Sequence, residues 1–358
     1  MTTPPRNLLR ANPLVRFAYF NCHLADIPVL FGLGSFRHNA HAHIQQFLGQ
    51  DEANDTALTE SVYRDIKRCF YRYKTTPLEY FLFKLRSKSA NERERYLSDS
   101  VIMKSVANKS GRRIHDIELN NKYNFYCINK TFFKRTAMLF DKSTELDAFA
   151  EFATKAKRII AKPNEAALGT GVEIFDIRDS SDSADAFNLL KDTTIDYIVE
   201  ELIVQSHEMA IWNQSSVNTI RINSFLHNDR FNVLYPFMRT GRKGCIVDNG
   251  GQGGIFAIID KDSGKIISDG MDEKANIYTT HPDSEIEYKG HVIPQWSELL
   301  ALTEKIHRNM PRHRYVSWDF ALTNDGWVLI EGNWGEFVCQ QMTLGRGLKN
   351  EFLTLLNQ

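Results

Sequence analysis

Residues 318–333 read WDFALTNDGWVLIEGN, and the fold follows from how this stretch doubles back on itself. Two apolar arms flank Asn324-Asp325-Gly326, a three-residue loop with glycine where a positive φ is wanted. Pairing Thr323 with Trp327 across the loop and counting back puts Asp319 opposite Glu331 and Ser317 opposite Asn333, all four on one face of a two-stranded ribbon. Like charges placed directly opposite destabilise a ribbon, so the two acids ask for a counterion. Asp319, Glu331 and Asn333 offer only hard oxygen ligands, which suit Mg²⁺ or Mn²⁺. They are too few for an octahedron, so waters and substrate phosphates would complete it. The alternative is a solvated hairpin with scattered polar residues, against which the apolar neighbours Trp318, Phe320, Trp327, Leu329 and Ile330 count.

Upstream, short runs rich in Ile, Val and Phe begin near Lys157: RIIAKP, GVEIFDI, DYIVEELI, VNTIRINSFL, FNVLYPFMR, GGIFAIID and YVSWDFALT. Their length and β-branched content predict strands. Helices are expected around Ser183–Lys191, Pro294–Asn309 and Gly347–Leu356. The first third is helical in pattern. TALTESVYRDIKRCFYRY spaces Leu58, Val62, Ile66 and Phe70 four apart, and TPLEYFLFKL puts Pro77 in a first helical turn. The segment from Asn91 to Asn121 is polar, charged and helical in pieces. The whole is a helical front followed by an α+β body, with no strand-to-helix glycine turn of the Rossmann kind.

Within the body, IIAKPNEAALGTGVEIFDI (159–177) is a strand ending in Lys162, a loop holding Gly169 and Gly171, and a returning strand. The lysine would project a cation toward a phosphate, and the glycines would let backbone N–H groups approach an anion; taken alone, such a hairpin is more often plain structure. DYIVEELI carries Glu200 and Glu201, either a strand end reaching water or a carboxylate and backbone edge offered to ribose and adenine. In SSVNTIRINSF, Arg221 sits mid-strand, where burial demands an anion: a phosphate held by two parallel hydrogen bonds, or a structural ion pair with Asp319 or Glu331. Arg239 and Arg242 close the next strand before the run Gly250–Gly254 and could line the same pocket.

Composition narrows the class. The 358 residues allow two or three structural units, and 42% apolar with 25% charged residues is ordinary globular usage. Lys plus Arg and Asp plus Glu both number 44, so nothing in the net charge points to nucleic acid. Five cysteines, scattered and without CxxC, suit reduced thiols in a cytoplasm. Arg10 and Arg16 interrupt the apolar N-terminus, which is neither a signal peptide nor a membrane span. Arg6, Arg10 and Arg16 among Leu8, Leu9, Val15, Phe17 and Phe20 admit a weak membrane-surface contact, with an ordinary packed helix as the alternative. His38, His41 and His43 have no further ligand spaced to close a zinc site, and GxxxxGK[ST], GxSxG and HExxH are absent.

Taken in order, LNNKYNF, IIAKPNEAALGTGV, VEELIVQSHEMA, SSVNTIRI, DNGGQGGIFAIID and SWDFALTNDGWVLIEGN resemble the ATP-grasp superfamily, most closely its sugar-transfer-associated branch, from about Pro77 to the C-terminus. With the helical pattern taken over residues 1–120, the resemblance implies a small ATP-binding subdomain over 121–203 and a large subdomain with the metal site over 204–358. It implies that Lys122 and Lys162 contact the nucleotide, that Gly169 and Gly171 cover its phosphates, and that Glu200, Glu201 and Ile203, with His207 behind, hold adenine and ribose. Asp319, Glu331 and Asn333 match the metal ligands. Arg221 would face the transferred phosphate, assisted by Arg239. Ser317 stands where glycine is expected, and Trp212 and Gln214 replace smaller residues or proline, which alters the substrate side. The implied chemistry is an ATP-dependent carboxylate–amine ligation in polysaccharide biosynthesis, on small-molecule carboxylate and amine substrates, joining an amino acid to a sugar or to another amino acid. The rivals are a kinase of the same fold and a nucleotide-binding scaffold for a glycosyltransferase.

Overall fold

The computed structural model describes residues 28–111, 117–165, 171–193, 195–334 and 337–358. The chain divides into two compact units, Met1–Ser105 with Glu336–Leu353, and Val106–Gly335 with Thr354–Gln358.

The first unit is helical in its described part, with helices Pro28–Phe47, Gln50–Asn54, Thr56–Tyr73, Pro77–Leu82, Ala90–Glu94 and Val338–Leu344. Asp55 caps Thr56–Tyr73 by accepting from the N–H groups of Ala57 and Leu58, and Thr76 with Glu79 forms a full capping box ahead of Pro77. The buried stripe of Thr56–Tyr73 is Thr59, Val62, Tyr63, Ile66, Cys69 and Tyr73. Leu58 and Phe70, expected inside, are only half-buried, because the face is turned by one residue to bring the aromatic Tyr63 and Tyr73 under cover. His41 stacks on Tyr63 at 5.4 Å.

The second unit holds two antiparallel sheets. The smaller has the order β1-β4-β2-β3, with β1 Ala137–Phe140, β2 Arg158–Pro163, β3 Glu173–Asp176 and β4 Tyr197–Glu201. Helices Leu146–Ala156 and Ser180–Lys191 close its apolar face over Phe140, Phe149, Ile159, Ala161, Tyr197 and Val199. Side chains alternate along a strand, so Lys162 and Glu200 fall on the other face.

The larger sheet contains β5 Thr219–His227, β6 Arg230–Val233, β7 Phe237–Thr240, β8 Ile255–Ile258, β9 Gly270–Met271, β10 Ile277–Tyr278, β11 Tyr315–Thr323 and β12 Gly326–Asn333. Its order is β10-β9-β8-β7-β5-β11-β12, with β6 paired to β5. The expected single strand FNVLYPFMR is two, broken at Pro236, which lacks the N–H a ladder needs, beside Tyr235 at φ 44°. One face of this sheet is apolar. Trp318 lies there, its Nε1–H donating to Ser224 Oγ at 2.7 Å, and Ser224 meets His307 of helix Trp296–Asn309 at 2.7 Å. Phe125 of helix Lys122–Phe133 packs 6.3 Å from Trp318, and a Cβ added at Gly332 would come within 2.8 Å of the Phe125 ring. The opposite face carries the polar residues.

Candidate active site

The closing ribbon of β11 and β12 pairs Asp319 with Glu331 and Ser317 with Asn333. The route to that pairing differs from the expectation. Next to the turn the partners are Thr323 with Gly326 and Leu322 with Trp327, one residue tighter than a Thr323–Trp327 register. Gly326 does take a positive φ, 89°. The register then shifts between Asp319 and Phe320, leaving Ile330 as the extra residue of a β-bulge. Continued without that shift, the tighter register would set Asp319 opposite Ile330 and turn Glu331 to the face of Trp318. The bulge therefore brings the two acids onto one face.

Neighbouring strands extend the polar row. Arg221 of β5 is the cross-strand partner of Asp319 and grips it with two parallel bonds, Nε to Oδ1 and Nη2 to Oδ2, both 2.6 Å. Arg239 of β7 donates to Asp319 Oδ2 at 3.0 Å and to Thr219 Oγ1 at 3.0 Å, and lies 3.6 Å from Asp248. Asp248 accepts from both the N–H and the hydroxyl of Thr219. Asp319 is 1% exposed. Burial alone would raise its pKa, but Arg221 and Arg239 bring it down to about 2, so it is a carboxylate at neutral pH. Asp248 is raised, burial outweighing Arg239 and the Thr219 hydroxyl. Asn333 donates to Glu331 Oε1 at 3.2 Å.

On the small sheet, Glu200 is 2% exposed and its carboxylate is engaged on both oxygens: Lys162 donates to Oε1 at 2.9 Å, and Arg135 binds Oε2 through Nε and Nη2. Burial would raise Glu200, yet the two cations lower it to about 2. Glu200 thus does not reach water, while Glu201, the last residue of the strand, is half-buried. Glu201 accepts from the Thr136 N–H at 2.7 Å. Lys122 opens helix Lys122–Phe133, with Nζ donating to the Pro163 carbonyl at 3.2 Å. Its pKa is lowered by burial first. The charge of Glu331 opposes that shift and the charge of Lys162 adds to it.

Beyond Glu201 the chain leaves the ladder through half-buried Ile203 to exposed His207, which starts the short helix His207–Ala210. Gly171 has φ 74°, with its missing Cβ facing Pro163 at 3.1 Å. Gly169 lies outside the described residues, as does the N-terminal stretch with Arg6, Arg10 and Arg16. Arg242 turns instead to Asp283 at 2.7 Å and does not join the Asp319 group. Two participants had been given no role: Arg135, in the unpatterned FKRTAMLF, and Asp248, which opens the motif DNGGQGGIFAIID.

The donor set fits a hard divalent cation. Among the described residues no three His, Cys, Asp or Glu side chains gather as metal ligands. A cation here would draw on two carboxylates and the Asn333 amide, with phosphates and waters supplying the rest, as Mg²⁺ prefers. Although Asp319 serves two arginines, an ionised carboxylate has about four acceptor sites and keeps capacity for a further partner.

A family model described as sugar-transfer associated ATP-grasp matches residues 87–357. No curated protein matches the chain in sequence. Among solved structures, D-alanyl-alanine synthetase A from Vibrio cholerae aligns at 11% identity over 69% of this chain and 66% of that one, with a TM-score of 0.43. The D-alanine–D-alanine ligase of Bacillus anthracis aligns at 11% identity over 69% and 67%, TM-score 0.38. The ATP-grasp ligase PsnB complexed with minimal precursor aligns at 12% over 69% and 63%, TM-score 0.42. The chain thus spans about two thirds of the length of these solved chains. Scores this low leave the family match to stand by itself.

Proposed function

The chain belongs to the sugar-transfer associated ATP-grasp family, and from that premise we propose that it is an ADP-forming carboxylate–amine ligase. It would attach an amino acid or similar group during cell-surface polysaccharide assembly, in the cytoplasm. Residues 121–203 would form the small ATP-binding subdomain and 204–358 the large one.

The supporting observation is the row Arg221–Asp319–Glu331 across β5, β11 and β12, with Asn333 beside it and Lys162 on the small-sheet face opposite its two helices. Asp319, Glu331 and Asn333 would hold Mg²⁺ or Mn²⁺, whose chemistry is to neutralise phosphate charge. Lys122 and Lys162 bind the ATP phosphates, with Gly169 and Gly171 above them, while Glu201, Ile203 and His207 line the nucleoside. Glu200 acts from behind by fixing Lys162. Arg221 and Arg239 are held rigid by Asp319 and Thr219, so they supply fixed positive charge where the γ-phosphoryl passes to the substrate carboxylate. The amine then attacks the acyl phosphate, an amide forms, and phosphate leaves. No protein nucleophile is needed.

The test is ADP release with Mg-ATP across a panel of amino acids, amino sugars and uronic sugars, with products weighed by mass spectrometry. An amide product supports ligation. A phosphorylated sugar makes the protein a kinase, and silence in a chain that binds ATP removes the ligase reading.

A further inference from the structure

Resting on the reading above, we propose that Arg135 is a positioning residue that sets the gap between the phosphate-binding lysine and the metal-binding carboxylates. Arg135 lies between helix Lys122–Phe133 and β1, with its side chain 6% exposed. One edge of its guanidinium binds Glu200, whose other oxygen holds Lys162. The remaining nitrogen, Nη1, donates to the carbonyl of Leu329 at 2.8 Å and to that of Phe133 at 3.2 Å, and the guanidinium stands 4.6 Å from the Phe133 ring.

Leu329 immediately precedes the bulged Ile330, and the bulge is what returns Glu331 to the side of Asp319. The chain Lys162–Glu200–Arg135–Leu329 therefore runs from the small sheet to the backbone irregularity that aims the second acid. A guanidinium is a planar fork with donors at fixed separations, so its two edges hold Glu200 and the Leu329 carbonyl at a set distance. An ammonium can satisfy the carboxylate but cannot span both. Lys134 makes a parallel tie, donating to the Asp325 carbonyl in the turn at 2.8 Å, but it is an exposed contact far from the bulge.

The experiment measures, by calorimetry on the full chain, the affinity for adenylyl imidodiphosphate with and without Mg²⁺. Arg135→Lys should keep metal-free affinity but lose about tenfold of the tightening that Mg²⁺ confers, inside the usual range of coupling between sites. If Arg135→Lys fails to fold, Arg135→Gln leaves Glu200 paired with Lys162, cannot hold Glu200 and the Leu329 carbonyl together, and is expected to lose the same tightening. A variant that unfolds at a lower temperature yet keeps the wild-type Mg²⁺ effect overturns the proposal and leaves Arg135 a structural residue. Absence of any Mg²⁺ effect in the wild-type chain would instead remove the metal site on which this rests, and it would show before any substitution is made.

Discussion

Two buried charge clusters stand on the two sheets, and they are built with opposite balance. On the large sheet Asp319, Glu331 and Asp248 lie with Arg221 and Arg239, an excess of acid. On the small sheet Lys162, Arg135 and neighbouring Lys122 surround Glu200, an excess of base. Each cluster is internally paired, which is what makes burial tolerable. The residual charge nevertheless points one toward a cation and the other toward an anion. A phosphate-bound metal is the kind of ligand that would satisfy both.

The comparison breaks most visibly at Asp319. Asp319→Ala takes from buried Arg221 its two parallel carboxylate bonds and should cost about 3–5 kcal/mol of stability, with ADP release falling below detection. Denaturant melts and a coupled ADP assay read the two losses separately. On the basic side, Lys162→Met leaves Glu200 paired with Arg135, so the fold should hold while ADP release drops by about 10²–10³, as when one charge-stabilising donor is lost. If both variants lost stability and activity equally, the two clusters would not differ in the way their charges suggest.

Acid should dissolve both clusters together. Asp319 and Glu200 have folded pKa values lowered to about 2. A depressed carboxylate contributes stability above its unfolded value, near 4, and that stability is lost as pH falls through the folded value; each contributes on the order of 2 kcal/mol. Unfolding free energy measured between neutral pH and pH 2 should therefore fall steeply below about 4.5, and Glu200→Gln should flatten the slope. The smallest expected effect lies at the turn that starts the large-sheet register. Gly326→Ala forces a side chain to φ 89° and should cost about 1–2 kcal/mol by thermal melt, without altering nucleotide affinity.

Much of the architecture is legible locally. The β2, β4, β5, β11 and β12 runs are apolar, β-branched and bounded by turn residues, so their strands were visible, as was the capped helix at Pro77. β1, the helix Leu146–Ala156 and the two-residue strands β9 and β10 were missed. AMLF and the pairs at 270–271 and 277–278 are too short to show a period, and they gain their order from the strands beside them. Of the candidate site, Asp319 opposite Glu331 followed from counting, yet through a wrong intermediate: the count assumed a wider loop, and the bulge at Ile330 supplied the missing residue.

By itself the sequence determined which chemical groups are available and roughly how they alternate: a lysine at a strand end, an arginine mid-strand, two acids and an asparagine on one ribbon. Those are consequences of period-two geometry and turn chemistry, both local. Only the tertiary structure decided which charge meets which. Arg221 on Asp319, Arg135 on Glu200 and the Leu329 carbonyl, and Arg242 on Asp283 each join residues about 40 to 200 positions apart. Nothing local selects among so many acids and bases; the selection comes from sheet order and from the cost of burying any charge without a partner.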